Sequence, residues 1–213
     1  MIDSDKYKTI SYAITVCNEK EEVQRLVNIL LEYKRPKDEI VVLYDQKNGD
    51  EEIVEILKKK NILPNFQIWR GYFDDHFADW KNKLTEYCSK DYIFQIDADE
   101  YPAYSLLKLL PEILENNDSD IYAVSRINTV EGLTESHIKN WGWRVNDEGH
   151  VNFPDYQWRI YKNNGTIRWK NKVHEVLEGH KTFAQLPASK AYCLYHPKEI
   201  ERQEKQNNYY STL

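Results

Sequence analysis

Apolar positions in the first half of the chain switch repeatedly between two periods. Ile10 to Val16 is a short apolar run ending at Cys17-Asn18-Glu19, and its length predicts a buried strand. Val23, Leu26, Val27, Leu30 and Leu31 then recur at helical spacing along one stripe. Ile40 to Tyr44 predicts a second strand, closed by the turn-like Gln46-Lys47-Asn48-Gly49-Asp50. Ile53, Ile56 and Leu57 are spaced as a helix facing a sheet, and Phe66 to Trp69 as a third strand. Phe77, Trp80, Leu84 and Cys88 predict a third helix, Tyr92 to Asp97 a fourth strand, and Leu106, Leu107, Leu110, Ile113 and Leu114 a fourth helix. Ile121 to Val124 predicts a fifth strand.

Strand and helix alternating at this spacing imply an α/β fold with a mostly parallel central sheet and right-handed crossovers. Ligands in such sheets bind beyond the carboxyl ends of the strands. That rule directs attention to Cys17-Asn18-Glu19, to Asp45, to the loop from Gly71 to Asp75, and to Asp97-Ala98-Asp99-Glu100. From about Ile127 the alternation stops. Residues 127–155 read as a long polar and aromatic loop holding Trp141-Gly142-Trp143. Gln157 to Tyr161 and Thr166 to Val173 read as a hairpin around Asn163-Asn164-Gly165. Ala191 to Tyr195 predicts a last strand, and the tail from Glu199 a polar helix. No linker composition separates the halves, so 1–213 is expected to be one domain, with 1–126 as one half and an elaborated 127–213 as the other.

Composition narrows the function classes. With 29 basic and 35 acidic residues, the net charge of −6 argues against a chain built to neutralise a nucleic-acid backbone. Aromatic residues make up 13% of the chain, 16 of them Tyr, which suits stacking on rings. Cys17, Cys88 and Cys193 are far apart and form no C-x-x-C pair, so neither a disulfide framework nor a zinc ribbon is indicated. Cys17 and Cys88 lie in apolar contexts and are expected to be small buried side chains. The first apolar run is a strand rather than a signal peptide, and no stretch approaches the roughly 18 residues of a bilayer span. A cytoplasmic protein is expected.

The chemistry concentrates in acidic residues at strand ends. Asp97 and Asp99, at i and i+2 after the apolar Tyr92 to Ile96, can both reach one hard divalent cation, which favours oxygen ligands. A diphosphate brought there would be neutralised and its departure assisted. The competing reading is a solvated acidic turn that caps a helix. Asp45 and Glu19 can accept hydrogen bonds from a nucleobase or ribose, although Glu19 equally suits a helix first turn. Arg159 and Lys172 are candidate diphosphate contacts.

The ordered set Ile14-Thr15-Val16-Cys17-Asn18-Glu19, Val41-Val42-Leu43-Tyr44-Asp45, Phe77-Ala78-Asp79-Trp80-Lys81-Asn82 and Asp97-Ala98-Asp99-Glu100 resembles the family 2 glycosyltransferases. Asp155-Tyr156-Gln157-Trp158-Arg159, Val173-His174-Glu175 and His196 resemble, more narrowly, small bacterial glycosyltransferases of lipopolysaccharide-core and capsule synthesis. The resemblance implies a GT-A fold, which is the Rossmann-like nucleotide-diphospho-sugar transferase fold. It also implies a nucleotide-diphosphate sugar donor (a UDP-sugar), a divalent metal (Mn²⁺ or Mg²⁺) bound at a D-x-D motif, and inverting transfer to a glycan or glycolipid hydroxyl. Carried onto this sequence, Thr15, Asn18, Glu19 and Asp45 line the base and ribose pocket. Lys81, Asn82, Asp97 and Ala98 are donor-side positions. Asp97, Asp99 and His196 are metal ligands, with His174 a substitute for His196. Asp155 is the general base and Glu175 its rival, though Pro-Asp also suits an N-cap at Asp155. The sequence departs from the commoner Asp-Asp-Gly-Ser ending of the second strand, having Asp45-Gln46-Lys47.

Trp141, Trp143, Tyr156 and Trp158, with Phe153, fall where an acceptor would lie, and aromatic faces suit the C–H face of a sugar. Packing of a long loop explains them equally well. Tyr209 and Tyr210 are open to either reading. Two other classes remain in view. A nucleotidyltransferase also gathers carboxylates and a metal, but the Cys17 to Glu22 segment is Gly-free and acidic. The other is an inactive sugar-binding protein of the same fold.

Overall fold

The computed structural model describes residues 6–60 and 63–210, and the side chains of Tyr209 and Tyr210 lie outside the described residues. Nine strands form one mixed sheet in the order β3-β2-β1-β4-β7-β6-β11-β5, with β10 also on β6. The parallel part consists of β1 (Ile10–Val16), β2 (Glu39–Asp45), β3 (Phe66–Gly71) and β4 (Tyr92–Asp97). These are the apolar runs read from the sequence; burial on both faces is why β1, β2 and β4 show little alternation, while the edge strand β3 exposes Trp69 and Arg70. Helices α1 (Lys20–Tyr33), α2 (Glu51–Lys58), α3 (Phe77–Glu86) and α4 (Tyr104–Asn116) connect and cover them. Val23, Leu26, Val27 and Leu30 of α1 are all buried, as their spacing requires. Asp50 caps α2 by accepting from the Glu52 amide at 2.9 Å.

The chain leaves β1 toward β2 on one side and returns to β4 on the other, with Thr15 directly beside Asp97. This reversal opens a crevice at the carboxyl ends of the strands. Beyond β4 the sheet turns antiparallel. Here β7 (Val151–Lys162) lies between β4 and β6 (Ile121–Glu131), running against both. The second half departs from the sequence reading in three ways. The fifth strand does not end at Val124 but runs to Glu131. The presumed loop 127–155 contains helix α5 (Glu135–Trp141) and the start of β7. The hairpin around Asn163-Asn164-Gly165 does not pair, because β7 belongs to the main sheet while β8 (Arg168–Lys170) pairs with β9 (Val176–Glu178).

At the far edge of β6, β10 (Phe183–Gln185) and β11 (Cys193–Glu199) follow one another, both parallel to it. The two-residue β5 (Tyr101–Pro102) closes that edge, and α6 (Ile200–Tyr210) follows β11. One buried cluster lies against α1, α2 and α4, and a second gathers Leu84 of α3 with Ile93, Tyr161 and Trp169. No helix among the described residues is long and apolar enough to cross a membrane.

Candidate active site

A cavity of about 1210 Å³ opens at the carboxyl ends of β1, β2 and β4 and continues over β6, β7 and β11. Its walls include Thr15, Asn18, Glu19, Asp45, Lys81, Asp97, Ala98, Asp99, Trp143, Asp155, Tyr156, Trp158, Glu175 and His196. Residues from Thr15 to His196 thus converge: some stand at the ends of β1, β2 and β4, Lys81 comes from α3, and Asp155, Tyr156, Trp158 and His196 come from within β7 and β11. Asn82 and Trp141 do not line the cavity. The Asn82 carboxamide instead clips the Trp169 backbone in both directions, at 2.9 Å each way. Trp141 stacks on His137 at 5.0 Å, on its own helix α5. Lys172 is exposed and outside the cavity.

The loops on the β1–β2 side are held by their own carboxylates. Glu19 accepts from the Cys17 and Asn18 amides at 2.9 and 3.0 Å. Asp45, buried, accepts from the Lys47 and Phe73 amides and from the Asn48 carboxamide. These bonds shape the wall against which a base or ribose would rest. Cys17 is half-buried at this wall rather than in the core, and Cys88 is buried as expected. Burial, with Glu19 and Asp45 nearby, pushes the Cys17 thiol up to about 12, so it is not a nucleophile here.

A chain of ion pairs forms the floor. Arg159, 4% exposed, donates one amino group to Asp97 at 2.5 Å and to Glu100 at 2.7 Å. Glu100 is fully buried and also accepts from Arg126 at 3.1 Å. Arg126 in turn donates to Asp155 at 2.8 and 2.9 Å. The register between β6 and β7 skips Arg159, since Tyr122 faces Ile160 and Ala123 faces Trp158. Such a bulge re-aims one side chain, and here it turns Arg159 inward to the acidic floor. Burial disfavours ionisation of Asp97, but Arg159, Lys81 and Arg126 together outweigh it and hold the carboxyl below its usual range.

Asp99 has a separate environment. It lies 3.3 Å from His196 Nε2, 3.5 Å from Arg202 and 3.7 Å from Lys198. Burial again opposes its charge, and these three groups hold the carboxyl well below the ordinary range. Burial lowers the proton affinity of Lys198 despite the neighbouring Asp99. Of the three expected metal ligands, the structure brings Asp99 and His196 together and turns Asp97 to Arg159. Among the described residues no three His, Cys, Asp or Glu side chains converge as a metal centre. A carboxylate beside an imidazole nonetheless fits a hard or borderline divalent cation whose other positions go to phosphate oxygens and water.

The two base candidates differ chemically. Asp155 Oδ2 accepts from Arg126 and, at 2.8 Å, from Asn128, while Oδ1 accepts from Gln157 at 2.7 Å. Burial raises its proton affinity, and Arg126 with these hydrogen bonds lowers it further than burial raises it. Glu175 pairs with Lys81 at 3.0 Å, and the same ammonium lies 4.7 Å over the Trp169 ring. Arg126, Asn128, Lys198 and Arg202 were not singled out in the sequence. The signal available was Arg126, Asn128 and Val130 at period two, which places all three on the cavity face of β6.

A nucleotide-type α/β half, a crevice at its switch point and a mixed second half, entered through the antiparallel β7 and lining the same crevice, together define the GT-A fold. The chain belongs to glycosyl transferase family 2, whose model matches residues 11–185. It is similar to the SPbeta prophage-derived glycosyltransferase SunS of Bacillus subtilis (strain 168) and to glycosyltransferase SunS of Bacillus phage SPbeta. Identity to each is 26% over 170 residues, covering 78% of this chain and 34% of the relative. The chain therefore spans about a third of the length of these curated relatives. The fold is also that of S. aureus TarS 1–349, with a TM-score of 0.61, 16% identity, and coverage of 89% of this chain and 60% of that one. TarS 1–349 in complex with UDP-GlcNAc gives a TM-score of 0.62 at 17% identity, with coverage of 89% and 58%.

Proposed function

We propose that the chain transfers a sugar, with inversion, from a UDP-sugar to a hydroxyl of a glycan or glycolipid, with a divalent cation as cofactor. One observation carries the reading. A single cavity at the switch point joins a nucleotide-sized wall to a cation-competent Asp99–His196 pair and to a carboxylate on the opposite, β7 side. Family membership and the UDP-GlcNAc complex of TarS support the choice of donor.

In this reading Thr15, Asn18, Glu19 and Asp45 bound the base and ribose, and Asp97 and Ala98 lie under the ribose. Asp99 and His196 would hold Mn²⁺ or Mg²⁺, which neutralises the leaving diphosphate when bound. Lys81 and Arg126, both in the cavity wall, add positive charge on the protein itself. The acceptor lies against Trp143, Tyr156 and Trp158. Its hydroxyl oxygen bonds to the anomeric carbon as the bond from that carbon to the diphosphate oxygen breaks on the opposite face. The hydroxyl proton passes to Asp155 Oδ1, whose one hydrogen bond leaves a lone pair for it.

UDP or UDP-GlcNAc with Mn²⁺ at about a hundred times its Kd is expected to raise the melting temperature by about 5–10 °C. Asp99→Ala should remove the Mn²⁺-dependent part of that shift and leave any metal-free part. No shift with any nucleotide sugar, with or without Mn²⁺, overturns the reading. Binding without turnover or donor hydrolysis would instead mark a sugar-binding protein.

A further inference from the structure

The tip of the β8–β9 hairpin, residues 171–175, brings Val173, His174 and Glu175 into the cavity wall. Its backbone holds Asn171 at φ 77° and His174 at φ 55°, conformations that persist in side-chain-bearing residues where the surroundings impose them. The surroundings here are α3. The Phe77 amide donates to the Lys172 carbonyl at 3.0 Å, and Asn82 clips Trp169 from the same helix. Lys81, buried on α3, completes the contact, with its ammonium over the Trp169 ring and 3.0 Å from Glu175 Oε1. The tip is thus fastened to the parallel half of the fold, although its sequence belongs to the other half.

Most carboxylates of the cavity are already committed. Glu19, Asp45, Asp99 and Asp155 each meet two or more groups. Among the described residues Glu175 meets Lys81 alone, through Oε1. Its Oε2 is an acceptor beside a fixed ammonium, and that combination matches a sugar hydroxyl, which both donates and accepts. The position fits as well. The transferred sugar stands between the diphosphate and the acceptor, and Lys81 with Glu175 joins the two halves of the chain in the wall of that same cavity. We propose that Glu175, seated on Lys81, is a specificity-determining residue that accepts from a hydroxyl of the transferred hexose. The proposal rests on the functional reading above for the UDP-sugar, and it gives Glu175 recognition in place of proton abstraction.

The first measurement is calorimetric titration of the full chain, in Mn²⁺, with UDP and with UDP-Glc, UDP-Gal, UDP-GlcNAc and UDP-GalNAc. The tightest of the four sugars for the wild type is the reference. Glu175→Gln exchanges a charged hydrogen bond for a neutral one, so the reference should bind about tenfold more weakly. UDP, which carries no sugar, should bind no more weakly than to the wild type. Equal weakening of UDP and the reference, or an unchanged reference, overturns the proposal.

The second measurement uses analogues of the reference, each lacking one hydroxyl. One of them should bind the wild type about tenfold more weakly than the reference does, and Glu175→Gln should show much less of that difference. If no analogue behaves so, the proposal is overturned. A fall in kcat at unchanged donor affinity makes Glu175 the base and overturns it too. If Glu175→Gln does not fold, Glu175→Asp decides: it keeps a charge for Lys81 but withdraws the carboxylate by one methylene. The same loss confined to the sugar is expected there, and an unchanged reference affinity overturns the proposal. A wild type that binds neither UDP nor any of the four sugars overturns the functional reading and this proposal together, whereas the other adverse outcomes overturn this proposal alone.

Discussion

Arg159→Met is expected to destabilise the protein by about 3–5 kcal/mol, the usual cost of removing one partner from a buried ion pair. Methionine fills similar volume, so the loss is mainly electrostatic. Glu100 keeps Arg126, but Asp97 loses its nearest cation. Chemical denaturation across pH checks the assignment. In the wild type the Asp97 carboxyl is depressed from 3.8 to about 2, burial being outweighed by Arg159 together with Lys81 and Arg126. A depressed carboxyl contributes stability that is complete above its unfolded value and is lost as pH falls through its folded value. The wild type should therefore lose this contribution between about pH 4 and pH 2. In Arg159→Met, Asp97 loses that partner and takes up its proton at higher pH than in the wild type. The defect should be largest near neutrality and shrink on mild acidification. A constant defect at all pH values would mean that Arg159 acts by packing alone.

The β1–β4 half was legible because each of its elements is stabilised by what its own residues bury. Tyr92 to Ile96 are all buried, so the strand appears as a continuous apolar run. The second half is built on partners distant in sequence. Arg126 and Asn128 are polar because they face the cavity, so the strand that carries them looked like the start of a loop. Asn163-Asn164-Gly165 does form a turn, with Gly165 at a positive φ of 76°. Turn chemistry announces a change of direction and is silent on the partner, and Ile160 and Tyr161 find theirs in β4 and β6. The Arg159 bulge leaves no local trace at all. Positions at strand ends, such as Asp45, Asp97 and Asp99, could be named early because the fold class alone says where they lie. Their pairings could not, since Arg159, Lys198 and Arg202 come from elements whose approach only the folded chain reveals.

Asp155→Asn is expected to lower kcat by about 10²–10⁴, the range for loss of a general base, while donor KM and the UDP-dependent thermal shift stay near wild type. The substitution keeps an oxygen for Arg126 and Asn128 to bind, and Arg126 retains Glu100, so the floor should remain in place. What disappears is the second carboxylate oxygen, the one that accepts from Gln157. The depressed proton affinity of Asp155 makes it a weak base before reaction, but it also keeps the group ionised at any working pH. It needs to accept the proton only as the hydroxyl acquires its new bond and becomes acidic. Glu175→Gln tests the rival. Gln cannot hold Lys81 by charge, so that ammonium is free to turn to the donor, and the main effect should fall on donor KM rather than on kcat. The two variants thus separate by which kinetic constant moves. Loss of kcat in Glu175→Gln with turnover preserved in Asp155→Asn would transfer the base to Glu175 and leave Asp155 as an anchor for Arg126.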